Sequence, residues 1–296
     1  MQDLPSVLIA GVLLGGIYGL VALGLNLIFG VVRTVNFAQG ELVMLSMYGT
    51  YWLYTRLGLN PYLAVPPIAV ALFLLGLLLQ RFVLQPLQDE PMMQIFATFG
   101  LLMLLQNLVL GVTGGVSMGI DWPAARQVLL IAGVRVSLVR VVALAALTAI
   151  TIGLHLFLRD TMPGKAVRAV IQDKLAARAM GINVERAYLL TFGVGAALAG
   201  VAGALLTPIF TLSPAIGGNF ILAAFAVVVL GGLGSVWGAY LGGLIVGIVE
   251  TFAGYYIDPA LRQAIWFLIF IAVLIVRPSG LLGQVGAEEV GFREQH

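Results

Sequence analysis

Four polar side chains in one apolar stretch, GLNLIFGVVRTVNFAQGE, are the ones whose types and spacing could do chemistry: Asn26, Asn36, Gln39 and Glu41. Asn36 suits the N-cap of a following helix. Gln39 then falls in the capping-box position, and Glu41 in the first turn, where the helix dipole favours an acid. The same amides, beside the free N–H groups of a helix start, also suit the route of a polar solute without net charge. A shorter echo, GGNFILAAF, places Asn219 and Phe220 at the head of a second apolar helix. The first of these helices starts on one side and the second on the other, as an inverted repeat requires.

Bond-making chemistry finds no residues to carry it. The two histidines, His155 and His296, stand far apart and cysteine is absent, which leaves no metal cluster, no nucleophile–base pair and no disulfide. His155, at a helix end, reads as an interfacial side chain. Gly164-Lys165 is followed by Ala166 and lacks the earlier glycine of a phosphate loop, so no cofactor or nucleotide is expected and the chain is not read as an enzyme. If ATP drives it, another subunit hydrolyses the nucleotide. The apolar stretches carry no Asp, Glu, Lys or Arg through their middles; Glu41, Arg140, Glu250 and Arg262 fall near their ends. That weakens an ion-coupled carrier, which needs a coupling site near the midplane.

The elements that must position these residues are membrane helices. Of 296 residues 61% are hydrophobic and 9% charged, with a mean hydropathy of +1.07; lipid must surround most of such a surface. Apolar stretches run over 6–31, 42–56, 62–84, 93–112, 138–158, 188–208, 219–235, 237–253 and 262–276. Two are short, and 219–253 reads either as a tight turn between two crossings or as a re-entrant pair. The expectation is one all-α domain over 1–296, a bundle of about eight spans, give or take one. The opening MQDLP lacks the positive start of a leader, so the first stretch is kept as a span.

Charge sets the sides. Residues 159–187 hold Arg159, Lys165, Arg168, Lys174, Arg178 and Arg186, which places this loop in the cytoplasm. Arg33, Arg81 and Arg277 fall on the same side, with the N-terminus outside and the tail 278–296 inside; Arg126, Arg135 and Arg140 fall outside, against the rule. A net charge of +2 spread this way offers no face for nucleic acid. Small residues recur at four-residue spacing, as Gly11, Gly15, Gly19, as Gly195, Ala199, Gly203, and as Gly234, Gly238, Gly242. Such stripes let helices approach closely in lipid.

The polar loop GKAVRAVIQDKLAARAMGINVERAY reads as two short helices. Asp173 is an N-cap, Lys174 to Met180 make two turns, and Gly181 supplies a left-handed end with Ile182 for the accompanying contact. Leu175, Ala176, Ala177 and Ala179 would form a small-residue face for a partner, with Lys174 and Arg178 to orient it. The other reading is a solvated loop that only fixes topology.

LAARAMG, Leu175 to Gly181, resembles the E-A-A-x-x-x-G loop by which ABC importer permeases dock on their ATPase, with Leu175 where that motif has Glu. Together with GLVALGLNLIFGVVRTVNFAQGE, VVLGGLGSVWGAYLGGLIVG and VRPSGLLG, the chain resembles, over nearly its whole length, the branched-chain amino acid permease family of LivH type. Urea and short-chain amide permeases are similar through the same blocks. The resemblance implies an inner-membrane permease that forms half of a path for apolar amino acids. It also implies a second LivM-like permease, two cytoplasmic ATPases and a periplasmic solute-binding protein as partners. Asp173, Leu175, Ala176, Ala177, Arg178 and Gly181 then become the coupling segment, and Asn26, Asn36, Gln39, Glu41, Asn219 and Phe220 the candidates for the path.

Overall fold

The computed structural model describes residues 4–283 apart from 89, 132 and 278. The expected tail lies outside the described residues from 284 on, as does His296. Eleven helices are described: α1 Leu4–Val32, α2 Gln39–Leu57, α3 Val65–Leu79, α4 Pro91–Thr113, α5 Leu138–Asp160, α6 Met162–Gln172, α7 Lys174–Ala179, α8 Val184–Leu206, α9 Ile216–Gly231, α10 Val236–Tyr256 and α11 Arg262–Val276. α3 runs on through a wide π turn, Gln80–Leu84, and a tight turn, Gln85–Leu87. One element was not foreseen, an antiparallel hairpin of β1 Val128–Ile131 and β2 Val134–Ser137. Its turn contains Gly133 at φ 80; β1 is Val-Leu-Leu-Ile and β2 Val-Arg-Val-Ser, four residues each and too short to separate from a span end by periodicity.

Nine helices stand on the nine apolar stretches, and seven of them are long and apolar enough to cross a membrane. α9 has only 16 residues, about 24 Å at the helical rise and so short of a full crossing. In the segment 219–253 a tight turn is present, but it joins the half-length α9 to the full span α10 and so does not connect two crossings. α9 ends at Gly231, Gly232 and Gly234 take φ of 112 and 80, and Ser235 caps α10 by accepting from Gly238 N at 3.1 Å. Gly234 is therefore a turn residue and not part of a helical stripe, a correction to the spacing read from sequence.

α1 and α8 form the centre and run antiparallel. Val31 shares a buried cluster with Val184 and Ala187 near one end of the bundle, and a methyl group on Gly24 would meet Gly195 O at 2.5 Å further along. The tightest seam lies between α1 and α10. A methyl on Gly15 would meet Gly243 O at 2.6 Å, and one on Gly243 would meet Gly19 Cα at 2.7 Å. Backbone contact of this kind supplies the dispersion energy that lipid-solvated helices lack from the hydrophobic effect. α3, α4, α5 and α11 lie outside this core and expose Leu74, Phe96, Ile152 and Leu268, as a lipid-facing layer should.

The two ends of the bundle differ. At one end α6, α7 and the start of α8 pack beneath α1, and Arg33, with φ 58, donates to Ile171 O at 3.2 Å. At the other end lie the hairpin and the loops after α2, α4 and α8. They are joined by the Met118–Leu212 bridge and by Tyr54 OH donating to Asp121 O at 2.9 Å.

Candidate functional site

The loops 33–38 and 207–215 do not stay at the surface. Each follows a central helix, α1 or α8, and turns back inward, so that α2 and α9 begin inside the bundle. Gln39 Nε2 donates to Gly195 O at 3.2 Å, and Gly195 is the middle residue of α8. From there α2 follows α8 toward the hairpin end, with Ser46 Oγ donating to Gly200 O at 2.5 Å. α9 starts against the same place: a methyl on Gly40 would meet Ile221 Cβ at 3.0 Å, and one on Gly217 would meet the Glu41 carboxyl carbon at 2.6 Å. α9 then runs the opposite way, since the turn after it packs Gly234 on Gly30 near the far end of α1. Two helix N-termini thus meet at the centre of the molecule and diverge, with two glycines at the contact: Gly40 lies against the Gly217 backbone, and Gly217 against the Glu41 carboxyl.

The polar residues around this meeting point are buried. Asn36 Oδ1 accepts from Ala38 N at 3.1 Å, and Asn36 Nδ2 donates to Gln39 Oε1 at 3.3 Å. Asn36, Gln39 and Gly195 therefore form one chain of amides across the gap between loop and α8. Glu41 is 1% exposed and its Oε2 finds no partner among the described residues. The loop that carries them is tied to α4, where the Thr34 hydroxyl bonds Gln94 and Thr98 Oγ1 donates to Val35 O at 3.2 Å. Positive helix ends aimed at one point, with amides fixed beside them, bind and orient polar groups; they do not make or break bonds.

Several expectations change. The N-cap of α2 is Ala38, without a side-chain cap; Asn36 closes an Asx turn one step earlier, because the chain must bend back before the helix begins. Glu41 stands at a helix end, as expected, but that end lies in the interior, so a position near a span end in sequence is central in space. Asn26 turns away from the meeting point. Its Nδ2 donates to Ser235 O at 2.5 Å and its Oδ1 accepts from Gly234 N at 2.7 Å, a bracket that holds the α9–α10 turn against α1. Replacing Asn26 by Leu orphans both backbone groups and is expected to cost about 2 kcal/mol or more, read as a lower thermal midpoint in detergent.

The Asn-Phe echo does not mark equivalent places. Phe220 is buried against Phe210, with ring centroids 5.4 Å apart, but Asn219 is exposed one turn inside α9. The matching positions are Ala38-Gln39-Gly40 and Ala215-Ile216-Gly217, each an Ala N-cap followed by a helix whose second residue is the contact glycine. Ala-x-Gly is short enough to escape notice in a chain with 37 glycines.

In the polar loop Asp173 Oδ1 accepts from Leu175 N at 2.8 Å and from Ala176 N at 2.9 Å. Gly181 takes φ 81, and Ile182 N donates to Ala177 O at 3.0 Å. Ala177 does not join the outward face. It is buried with Val167, Val184 and Tyr188, while Leu175, Ala176, Arg178 and Ala179 are exposed. Among the described residues no group of His, Asp or Glu could hold a metal ion.

The family model of the branched-chain amino acid transport system permease component matches residues 7–274. The chain belongs to that family. This permease is 31% identical to the high-affinity branched-chain amino acid transport system permease protein LivH of Escherichia coli K12, over 95% of its own length and 96% of the relative's. It is 30% identical to the permease protein BraD of Pseudomonas aeruginosa, over 96% and 97% of the two chains. With the probable branched-chain amino acid transport permease protein LivH of Methanocaldococcus jannaschii it shares 32% over 89% and 88%. No solved structure matches the permease significantly. The family is one of transport components, and the fold is the polytopic helical bundle that such a component requires.

Proposed function

We propose that this permease forms half of an ATP-driven import path for branched-chain or similar apolar amino acids, and that the path passes the inward-turned starts of α2 and α9. The supporting observation is the pair of N-termini converging on the buried Glu41 carboxyl beside Asn36 and Gln39. A zwitterion has no net charge but two charged ends, and helix N-termini with neutral amides can replace part of its hydration without a fixed counter-ion. Phe220 supplies an apolar wall at the same level. Asn219, exposed on α9, and Asn26, engaged with the turn, would act beside the path and not in it.

The basic loop of 159–187 is taken as cytoplasmic, with the N-terminus outside and the tail inside, by the weight of Lys and Arg at that end. α7 is the surface offered to an ATPase. It presents Leu175 and Met180, exposed by 75% and 82%, with Arg178 beside them, and exposed apolar groups on a short capped helix suit a groove in another protein. Two ATPase subunits, a second permease of the same kind and a solute-binding protein outside would complete the system.

Uptake of labelled L-leucine by a strain lacking this chain, compared with the same strain complemented, tests the reading. Loss and recovery of leucine, isoleucine or valine uptake is expected. Unchanged uptake of all three, with loss of urea or short amides instead, would overturn the assignment of solute.

A further inference from the structure

Arg126, Arg135 and Arg140 sit at the hairpin end, against the charge rule, together with Arg56 at the end of α2 and Arg262 at the start of α11, and the central path uses none of them. Arg126 is accounted for: its Nη2 donates to Asp121 at 2.7 Å and 3.0 Å. Arg135 and Arg140 are not. Among the described residues no hydrogen bond or ion pair reaches either guanidinium, and both line one cavity of about 460 Å³. Ser6 of α1 and Ser137 of β2 add hydroxyls to it, while Leu13 and Pro208 add apolar wall.

The start of α5 opens on the same space. Ser137 is its N-cap but makes no capping bond, and no acid stands in the first turn. Of the first-turn amides Leu138 N is satisfied by Gln127 O at 3.0 Å. Arg140 therefore lies as a cation at the positive end of a helix, an unfavourable placement that an anion in the cavity would reverse. Guanidinium and carboxylate pair through two parallel hydrogen bonds, and the volume is that of a site for a small molecule.

We propose that the cavity between the starts of α1 and α5 binds a carboxylate attached to an apolar body, held by Arg140 and Arg135 with Ser137 and Ser6. On the proposed orientation, on which this inference rests, the cavity faces the side from which solute arrives. Its carboxylate has two possible sources, the amino acid itself or an acidic side chain of the solute-binding protein, and the apolar wall favours the amino acid.

The test uses the assembled transporter in phosphatidylcholine nanodiscs, wild type against the double variant Arg135→Gln/Arg140→Gln. Binding of L-leucine, of L-leucinol, which lacks the carboxylate, and of the leucine-loaded solute-binding protein is measured separately. Leucine binding at least about ten-fold weaker in the variant, with leucinol the same on both, is the expected result. A comparable loss in the binding-protein arm alone supports the site with that protein's acid as ligand. Changes below about two-fold in both arms overturn it.

Should the variant fail to assemble, phenylglyoxal labelling of Arg135 and Arg140 in wild-type protein decides. Protection by leucine or by the binding protein supports the site, and protection by neither overturns it. Failure of the transport reading would show differently, as wild-type protein whose ATP hydrolysis does not respond to loaded binding protein.

Discussion

Gly217→Val is expected to abolish uptake while the chain still inserts and folds. A Cβ at this position would lie 2.6 Å from the Glu41 carboxyl carbon, and valine adds two more methyls in the same direction. The Glu41 carboxyl is the end of a side chain and yields only by swinging away from the meeting point. Gly40 holds α2 against the Gly217 carbonyl from below, and Gln39 is fixed to Gly195 on α8. Overpacking of this kind costs about 1–3 kcal/mol, which a bundle built on the α1–α10 seam can absorb. The geometry at the meeting point cannot, since the carboxyl at its centre is displaced. Gly218→Ala is the control, because a methyl group on Gly218 meets nothing within 4 Å. Leucine uptake in proteoliposomes, with far-ultraviolet circular dichroism of the same preparations, reads both. A Gly217→Val protein that transports at the wild-type rate would remove the converging helix ends from the path.

The second large effect is expected at Gly181, through conformation instead of space. Nothing lies within 4 Å of a methyl group there, but φ is +81, where a β-branched residue is strongly disfavoured. Gly181→Val forfeits about 1–3 kcal/mol or unwinds the end of α7. Met180 and Leu175 then leave the places from which they would meet an ATPase. Association with the ATPase is expected to weaken by up to about a hundred-fold, measured by pull-down in mild detergent. Gly181→Asn should retain most of it, because Asn tolerates the left-handed region.

Ala177→Glu reports on something else. Ala177 is buried beneath the helix among Val167, Val184 and Tyr188, so a carboxylate there would be a stranded charge. Lower thermal stability, not a selective loss of docking, is the expected outcome. Ala176→Glu, on the exposed face, separates the two effects.

Much of this molecule was legible along the chain. Nine apolar stretches became nine helices because lipid leaves a span of backbone few choices but to satisfy itself in a helix. Asp173, Gly181 and Ile182 took up their cap positions because caps are satisfied within a few residues and need no distant partner. Family membership followed from the same local blocks.

What only the tertiary structure decided are the relations between stretches far apart in sequence. Asn26 reads as a polar residue inside a span, and nothing local announces that it brackets Gly234 and Ser235, over two hundred residues away. Glu41 reads as lying near a span end, because hydropathy counts residues from the surface and cannot see a loop that has folded back inside. The Ala-x-Gly pair at 38–40 and 215–217 carries meaning only once Gly40 and Gly217 touch. Arg135 and Arg140 look like exceptions to a charge rule until a cavity gathers them with Ser6 from the other end of the chain's first half. Local sequence fixes each helix and its caps through bonds within one turn; contact between helices is chosen by packing, and packing depends on every helix at once.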